Sequence, residues 1–292
     1  MNSTLHISTG EKMKAYFELT KFRLSMTVVF SSCFGYALAS PGLSLSYLLV
    51  FGFASFLVTA SANVINQIKE KELDKLMSRT QGRPLPSGRL SVTEAAGFSL
   101  LCGVIGLGLI LSVFNLYAFL LSLLSLILYG FVYTPLKRVG PIAVAVGALP
   151  GAFPPMIGWV ASTGHFGLEP GILFAIQFFW QFPHFWAIAW VLDDDYRKAG
   201  FKLLPSKGGR DLSSAFQIMS YTLFLLPLCW VPYYLGMTGI NSAVIALLSG
   251  VLFLTQTLHL MKERTNKAAL KLMFGSFLYL PVVQIAYLLD KV

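Results

Sequence analysis

Nine apolar stretches dominate this chain, each of about 20 residues, the length an α-helix needs to cross the hydrocarbon core of a bilayer. They fall at 24–40, 45–66, 94–112, 115–134, 141–161, 171–192, 213–234, 239–260 and 269–288. Inside lipid every backbone polar group must find a partner within its own segment, so such a chain folds as a bundle of helices. Hydrophobic residues make up 55% of the 292 and charged residues only 12%, a balance that excludes a soluble globular domain. The predicted fold class is an all-α integral membrane protein with nine transmembrane helices.

The basic residues test that count independently, because Lys and Arg collect in cytoplasmic loops. Lys12, Lys14, Lys21 and Arg23 precede the first stretch, and further basic groups follow the second, fourth, sixth and eighth. Loops 41–44, 113–115, 162–170 and 235–240 contain neither Lys nor Arg, and Lys291 alone falls on the far side. The N-terminus is therefore predicted to be cytoplasmic and the C-terminus to lie across the membrane, which requires an odd number of spans. This topology and attraction to anionic lipid account for the net charge of +9 without nucleic acid as a partner. Cys33, Cys102 and Cys229 all lie within spans and lack metal or redox spacing, so they read as small apolar packers. Glu11 and Glu18 are unlike an acid-poor transit peptide, and no cleavable signal is visible, so a prokaryotic inner membrane is the expected location.

The chain reads as a single domain, 1–292, with a cytoplasmic N-terminal segment at 1–23. Two cytoplasmic loops, 67–93 and 193–212, are longer and more polar than the rest and lie about one four-helix unit apart. Two four-helix units plus a ninth helix, with both loops over a central cavity, is the expected architecture. If the second span runs on past its apolar part, Asn63, Asn66, Glu70 and Asp74 follow at helical spacing on one face. Hard oxygen ligands on one face suit a divalent cation such as Mg²⁺, and Arg79, Arg83 and Arg89 follow directly, with guanidinium forks that match phosphate oxygens. Together they point to a diphosphate site at a membrane surface. The competing reading makes these arginines simple topological anchors.

The sixth span carries a second polar series. Gln177, Gln181, His184 and Asp195 fall within a narrow stripe on one helical face, and intramembrane polar groups face a cavity or one another. The stripe is expected to line a pocket, with His184 about 16 Å along the axis from Asp195 at the helical rise. A hydrogen-bonded packing histidine remains the plain alternative. His6, His165 and His259 look less pocket-like, Trp180, Trp186 and Trp190 read as packing aromatics, and Asp193 and Asp194 as a solvated helix end.

Asn66, Glu70 and Asp74 with RTQGRPLPSG at 79–88 resemble the first motif of the UbiA-type intramembrane prenyltransferases, and nine spans agree with that superfamily. A narrower resemblance, covering the chain from Lys21 onward, is to the branch that farnesylates protoheme IX (haem B). It is carried by Met77 before the Arg-Thr pair, YTPLKR at 133–138, GAFPPMIGW at 151–159, WQFPHFW at 180–186, and DYRKAG with LLP within 195–205. The chain departs from the superfamily pattern at Gln67, at Glu70 in place of Asp, and at Ala199, four residues after Asp195, where a second acid is usual.

The resemblance implies transfer of farnesyl from farnesyl diphosphate to a vinyl group of haem B, with water added, giving haem O. It implies Asn66, Glu70, Asp74 and Asp195 as catalytic groups and Mg²⁺ ligands. Lys71, Arg79, Arg83, Lys137, Arg138, Lys198 and Lys202 are the expected diphosphate cations, with Arg197 as another. His184, Gln181 and Tyr133 are the expected haem or acceptor residues, haem B being substrate rather than resident cofactor. A haem A synthase or terminal oxidase is the implied consumer of product. Prenyl transfer to a quinone precursor such as 4-hydroxybenzoate uses the same first motif and is the alternative. A transporter using the buried polar stripe as a path is a more distant one, because it does not predict acids and arginines gathered at one surface.

Overall fold

The computed structural model describes residues 8–207 and 209–292, so His6 lies outside the described residues. A surface helix α1 (Thr9–Leu19) precedes nine spans: α2 (Phe22–Ala39), α3 (Leu45–Asp74), α4 (Val92–Val113), α5 (Leu116–Leu136), α6 (Ile142–Thr163), α7 (Leu168–Lys198), α8 (Leu212–Tyr234), α9 (Ile240–Glu263) and α10 (Asn266–Leu289). The apolar stretches set their number. Helices α3 and α7 are much longer than a span requires, at 30 and 31 residues, and so lift polar side chains from the bilayer to its surface within one rigid element. Several helices start where a side chain takes their free amide hydrogens. Ser8 with Glu11 and Ser91 with Glu94 form capping boxes, and Asn115, Asp211 and Thr265 cap α5, α8 and α10.

Close helix approach depends on glycine. A Cβ on Gly35 would meet the Pro155 carbonyl oxygen at 1.9 Å, and one on Gly158 would meet that of Ser32 at 1.9 Å, so α2 and α6 touch backbone to backbone. Pro154 and Pro155 lie inside α6, and each removes an amide that an earlier carbonyl needs. Neighbouring helices supply the missing donors. Ser125 Oγ donates to the Pro150 carbonyl at 3.3 Å, and Gln177 Nε2 donates to that of Gly151 at 2.8 Å. Gln284 Nε2 donates in turn to Gln177 Oε1 at 3.1 Å and bonds Ser31. One polar chain thus ties α2, α10, α7 and α6 together.

Those four helices form the seam of the molecule. Helices α2 to α6 close one circuit of neighbours and α7 to α10 another, and the circuits meet where α6 packs on α7 and α2 on α10. The ninth span is therefore a wall of the seam, closing the second group.

Helix α5 departs from a uniform span. Its last part widens into a π-helix at Leu128–Tyr133. Pro135 has no amide to give to an i−4 carbonyl, and Thr134 Oγ1 donates to the Tyr129 carbonyl at 2.9 Å, which satisfies the widened turn. At the same end of the bundle α1 acts as a strap. Ala15 and Leu19 are buried against Val64, Leu85, Leu90 and Ala95, while Lys12 pairs with Glu94 and Glu18 with Arg89 at 2.6 Å. The N-terminal segment thereby holds the loop that follows α3.

Candidate active site

The polar end of α3 is a row of buried groups, each with a hydrogen-bond or ion-pair partner. Asn63 donates to Ser25 Oγ at 3.1 Å and Gln67 to the Leu19 carbonyl at 2.8 Å, which fixes α3 to the α1–α2 corner. Asn66 Nδ2 donates to Thr134 Oγ1 at 3.2 Å, and its Oδ1 accepts from Lys21 Nζ at 3.0 Å. Glu70 pairs with Lys137 at 2.8 Å. Asp74, with 0% of its surface exposed, accepts two bonds from Arg83 Nη1 at 3.0 and 2.8 Å. The helical spacing of 66, 70 and 74 thus brings three oxygen-bearing side chains to one face, and the chain folds cations from three other segments onto them.

Lys21 is the member that sequence reasoning missed. It read as one of several topological cations ahead of the first span, and the only local sign is its position at a break between helices. The backbone there is left-handed, φ 48°, which turns the chain from α1 into α2 and points the ammonium at Asn66. Burial, with repulsion from Arg83 and Lys137, lowers its pKa from 10.5 to about 7. Three basic groups, Lys21, Arg83 and Lys137, therefore converge on two carboxylates, Glu70 and Asp74, with Arg83 and Lys137 paired and Lys21 held back from full charge by burial and its neighbours. An anion bound among them would relieve that repulsion.

The second loop joins the first through Asp195. Its carboxylate accepts from the Ser78 amide at 3.0 Å and the Arg79 amide at 3.3 Å, and from Lys198 Nζ at 3.1 Å. Lys198 also bonds Ser78 Oγ at 3.2 Å, and the Arg79 guanidinium stands 5.9 Å from the Tyr196 ring. The two polar loops are clasped together over one end of the bundle. Asp195 is engaged as that clasp, and among the described residues no three His, Cys, Asp or Glu side chains converge on one point. Asp193 and Asp194 are held by Arg197 and Arg210. Lys71 is partly exposed and Lys202 exposed.

The expected polar stripe of α7 does not line one pocket. Gln177 and Gln181 bond the α6 carbonyls of Gly151 and Ala148, at 2.8 and 3.1 Å, the first of them a carbonyl freed by Pro155. His184 turns instead toward α10, stacked on Trp180 at 4.5 Å with Nδ1 2.8 Å from Ser276 Oγ. Ser276 donates its own proton to the Met273 carbonyl at 2.6 Å, so Nδ1 carries the hydrogen and Nε2 keeps a lone pair. Tyr133 packs over Gly147, with the Lys137 ammonium 4.7 Å above its ring. Lys137 and Arg138, which the sequence places together, part company. Lys137 serves Glu70, while Arg138 lines a cavity of about 330 Å³ with Lys69, Glu70, Leu73, Thr134 and Pro135.

The donor set suits a divalent metal that brings its remaining ligands with it. Glu70 Oε1 is buried with the Lys137 ammonium 2.8 Å away, and Asn66 Oδ1 and the Asp74 carboxylate lie with it on the same helical face, so the donors are all hard oxygens. Mg²⁺ commonly takes one or two carboxylates and completes its shell with water and substrate phosphates.

Residues 28–280 match the UbiA prenyltransferase family. A relative from Cytophaga hutchinsonii, named protoheme IX farnesyltransferase, is 59% identical over 97% of this chain and 99% of its own length. One of the same name from Christiangramia forsetii is 44% identical over 99% of this chain and 97% of its own. Among solved structures, one described as digeranylgeranylglyceryl phosphate synthase is similar at a TM-score of 0.80 and 25% identity, covering 96% of this chain and 98% of that one. A UbiA homologue from Archaeoglobus fulgidus bound to GPP and Mg²⁺ shares the fold at a TM-score of 0.63 and 16% identity, covering 94% and 99%.

Proposed function

Because the chain belongs to the UbiA prenyltransferase family, we infer from its likeness to the haem-modifying members that it transfers farnesyl from farnesyl diphosphate to a vinyl group of haem B. The C1–oxygen bond of the diphosphate breaks, and a vinyl carbon supplies the electron pair for the new bond to C1. Water adds to the cation left beside the macrocycle and releases a proton. The products are haem O and diphosphate. The observation that carries the diphosphate site is the convergence of Lys21, Arg83 and Lys137 on the buried Glu70 and Asp74, three basic groups within reach of one anion.

The chain's own groups do most of the charge handling. Asn66, Glu70 and Asp74 are the side chains that would hold Mg²⁺, with no second carboxylate cluster required. When bound there, the metal neutralises diphosphate oxygens and so favours departure of the leaving group. Lys137 and Arg83 exchange their carboxylate partners for phosphate oxygens as substrate arrives, and Lys21, beside Asn66, gains full charge next to the anion. Such preorganised cations act most strongly where water is scarce. Asp195 holds the Ser78–Arg79 amides in place and thereby aims Arg79 and Lys198 at the same anion. His184, with its free Nε2, orients the haem from α7. The loops face the cytoplasm in a bacterial inner membrane, where Lys and Arg concentrate, and the product passes to a haem A synthase or terminal oxidase.

Purified protein given farnesyl diphosphate, Mg²⁺ and haem B is expected to yield a pigment with the mass of haem O. Unchanged haem alongside prenylated 4-hydroxybenzoate would overturn the assignment. Lys21→Met is expected to raise KM for farnesyl diphosphate about tenfold, the effect of losing about 1.4 kcal/mol of binding. Its Tm should change little, because removing a poorly solvated charge offsets the lost hydrogen bond to Asn66 Oδ1. His184→Ala is expected to shift the absorption spectrum of bound haem; an unaltered spectrum returns this residue to packing alone.

A further inference from the structure

We propose that the cavity between α3 and α5, rimmed by Lys69 and Arg138, receives the two carboxylate arms of the tetrapyrrole acceptor. The proposal rests on haem B being the acceptor. Lys69 and Leu73 lie roughly 60–100° around α3 from the face of Asn66, Glu70 and Asp74, taking about 100° per residue. Glu70 and Thr134 line the cavity as well, so it opens directly beside the row of Asn66, Glu70 and Asp74. The chain after α5 divides in the same way, Lys137 reaching Glu70 and Arg138 lining the cavity.

Neither rim cation has a carboxylate within ion-pair distance among the described residues. The Lys69 ammonium rests 4.3 Å from the Phe131 ring, and both Lys69 and Arg138 are exposed. The rest of the lining includes Leu73, Pro135 and Thr134, and Glu70 forms part of the wall. The two unpaired rim cations call for a ligand with negative charge there, close to the group proposed to hold the metal, and Leu73 and Pro135 offer its body an apolar wall. Haem B meets those terms. Its two propionates project from one edge of the macrocycle, one for each cation, and the vinyl groups lie toward the other edge. Holding the carboxylates at the aqueous rim lets the apolar rings enter the membrane level, where long basic side chains reach up from their stems. Fixing that edge also limits which vinyl can face the allylic carbon.

Two measurements on the full-length, detergent-purified protein test the assignment. Absorption titration of the wild type with haem B and with its dimethyl ester, which keeps the vinyls but has no carboxylate charge, needs no substitution. The ester is expected to bind about tenfold more weakly or worse, since each charge-assisted pair contributes on that order. The Lys69→Met/Arg138→Gln variant should bind haem B as weakly as the wild type binds the ester, bind the ester as the wild type does, and keep its affinity for Mg²⁺ with inorganic diphosphate. Equal binding of acid and ester by the wild type would overturn the proposal. So would loss of diphosphate affinity in the variant, which would return both cations to the diphosphate chamber, or stabilisation by phosphatidylglycerol that the variant loses while haem binding is unaltered. Failure of the underlying reading is separate: wild-type protein that binds haem B but makes no farnesylated haem removes the acceptor assignment whatever the ester shows.

Discussion

Asp74→Ala is expected to reduce haem farnesylation by about 10²–10³-fold or more, the scale seen when one preorganised electrostatic group is lost from an active site. Two effects combine. The substitution removes a carboxylate proposed to hold Mg²⁺, and it strands the Arg83 guanidinium that donates to both Asp74 oxygens. Breaking a buried pair by deleting one partner costs about 3–5 kcal/mol, because the remaining charge stays poorly solvated. The two effects separate in the Asp74→Ala/Arg83→Met double variant, which should regain Tm lost by the single variant but no activity. Thermal unfolding in detergent and mass analysis of pigments give both readings. Full turnover by Asp74→Ala would remove this residue from the site.

Gly158→Val is expected to be among the most damaging single changes to the fold. Its Cβ would lie 1.9 Å from the Ser32 carbonyl oxygen and 2.6 Å from the Tyr36 nitrogen, both backbone atoms with no rotamer to yield. Overpacking a well-filled interior costs about 1–3 kcal/mol when side chains can shift, and more is expected where only whole helices can move. Separating α2 from α6 also carries Lys21, just before α2, away from Asn66. Gly108→Ala is the control, since no neighbour lies within 4 Å of a Cβ there, and it should leave Tm unchanged or raise it slightly. Monodisperse folded yield on size exclusion and Tm distinguish the outcomes; a normally folded Gly158→Val protein would refute the close-contact account.

Much of the site was legible because it is local. Asn66, Glu70 and Asp74 share a face by helical period alone, and Arg83 is only nine residues beyond Asp74. Lys21 was not legible, because it meets Asn66 across 45 positions of sequence through a left-handed turn that composition does not announce. The clasp of Asp195 on the Ser78 amide spans 117 positions and uses backbone hydrogens, which no residue pattern displays. The α7 stripe misled for a physical reason that was partly visible. Pro155 in α6 leaves the Gly151 carbonyl without its helical donor, so a demand for a partner could be read, but not that Gln177 would meet it. The split between Lys137 and Arg138 follows from one step around a chain emerging from a widened helix, and adjacent letters do not reveal a step in direction.

The sequence by itself determined that this chain lives in a bilayer, how many times it crosses, and which helix brings oxygen ligands to the surface. Those properties depend on segment length and period, each contained within a single helix. Tertiary structure alone decided which cation meets which carboxylate, that Lys21 joins them from another helix, and which polar side chains are engaged by proline-freed carbonyls. Such pairings are set by distances between helices, and electrostatic and hydrogen-bond energies change over ångströms that linear spacing does not encode.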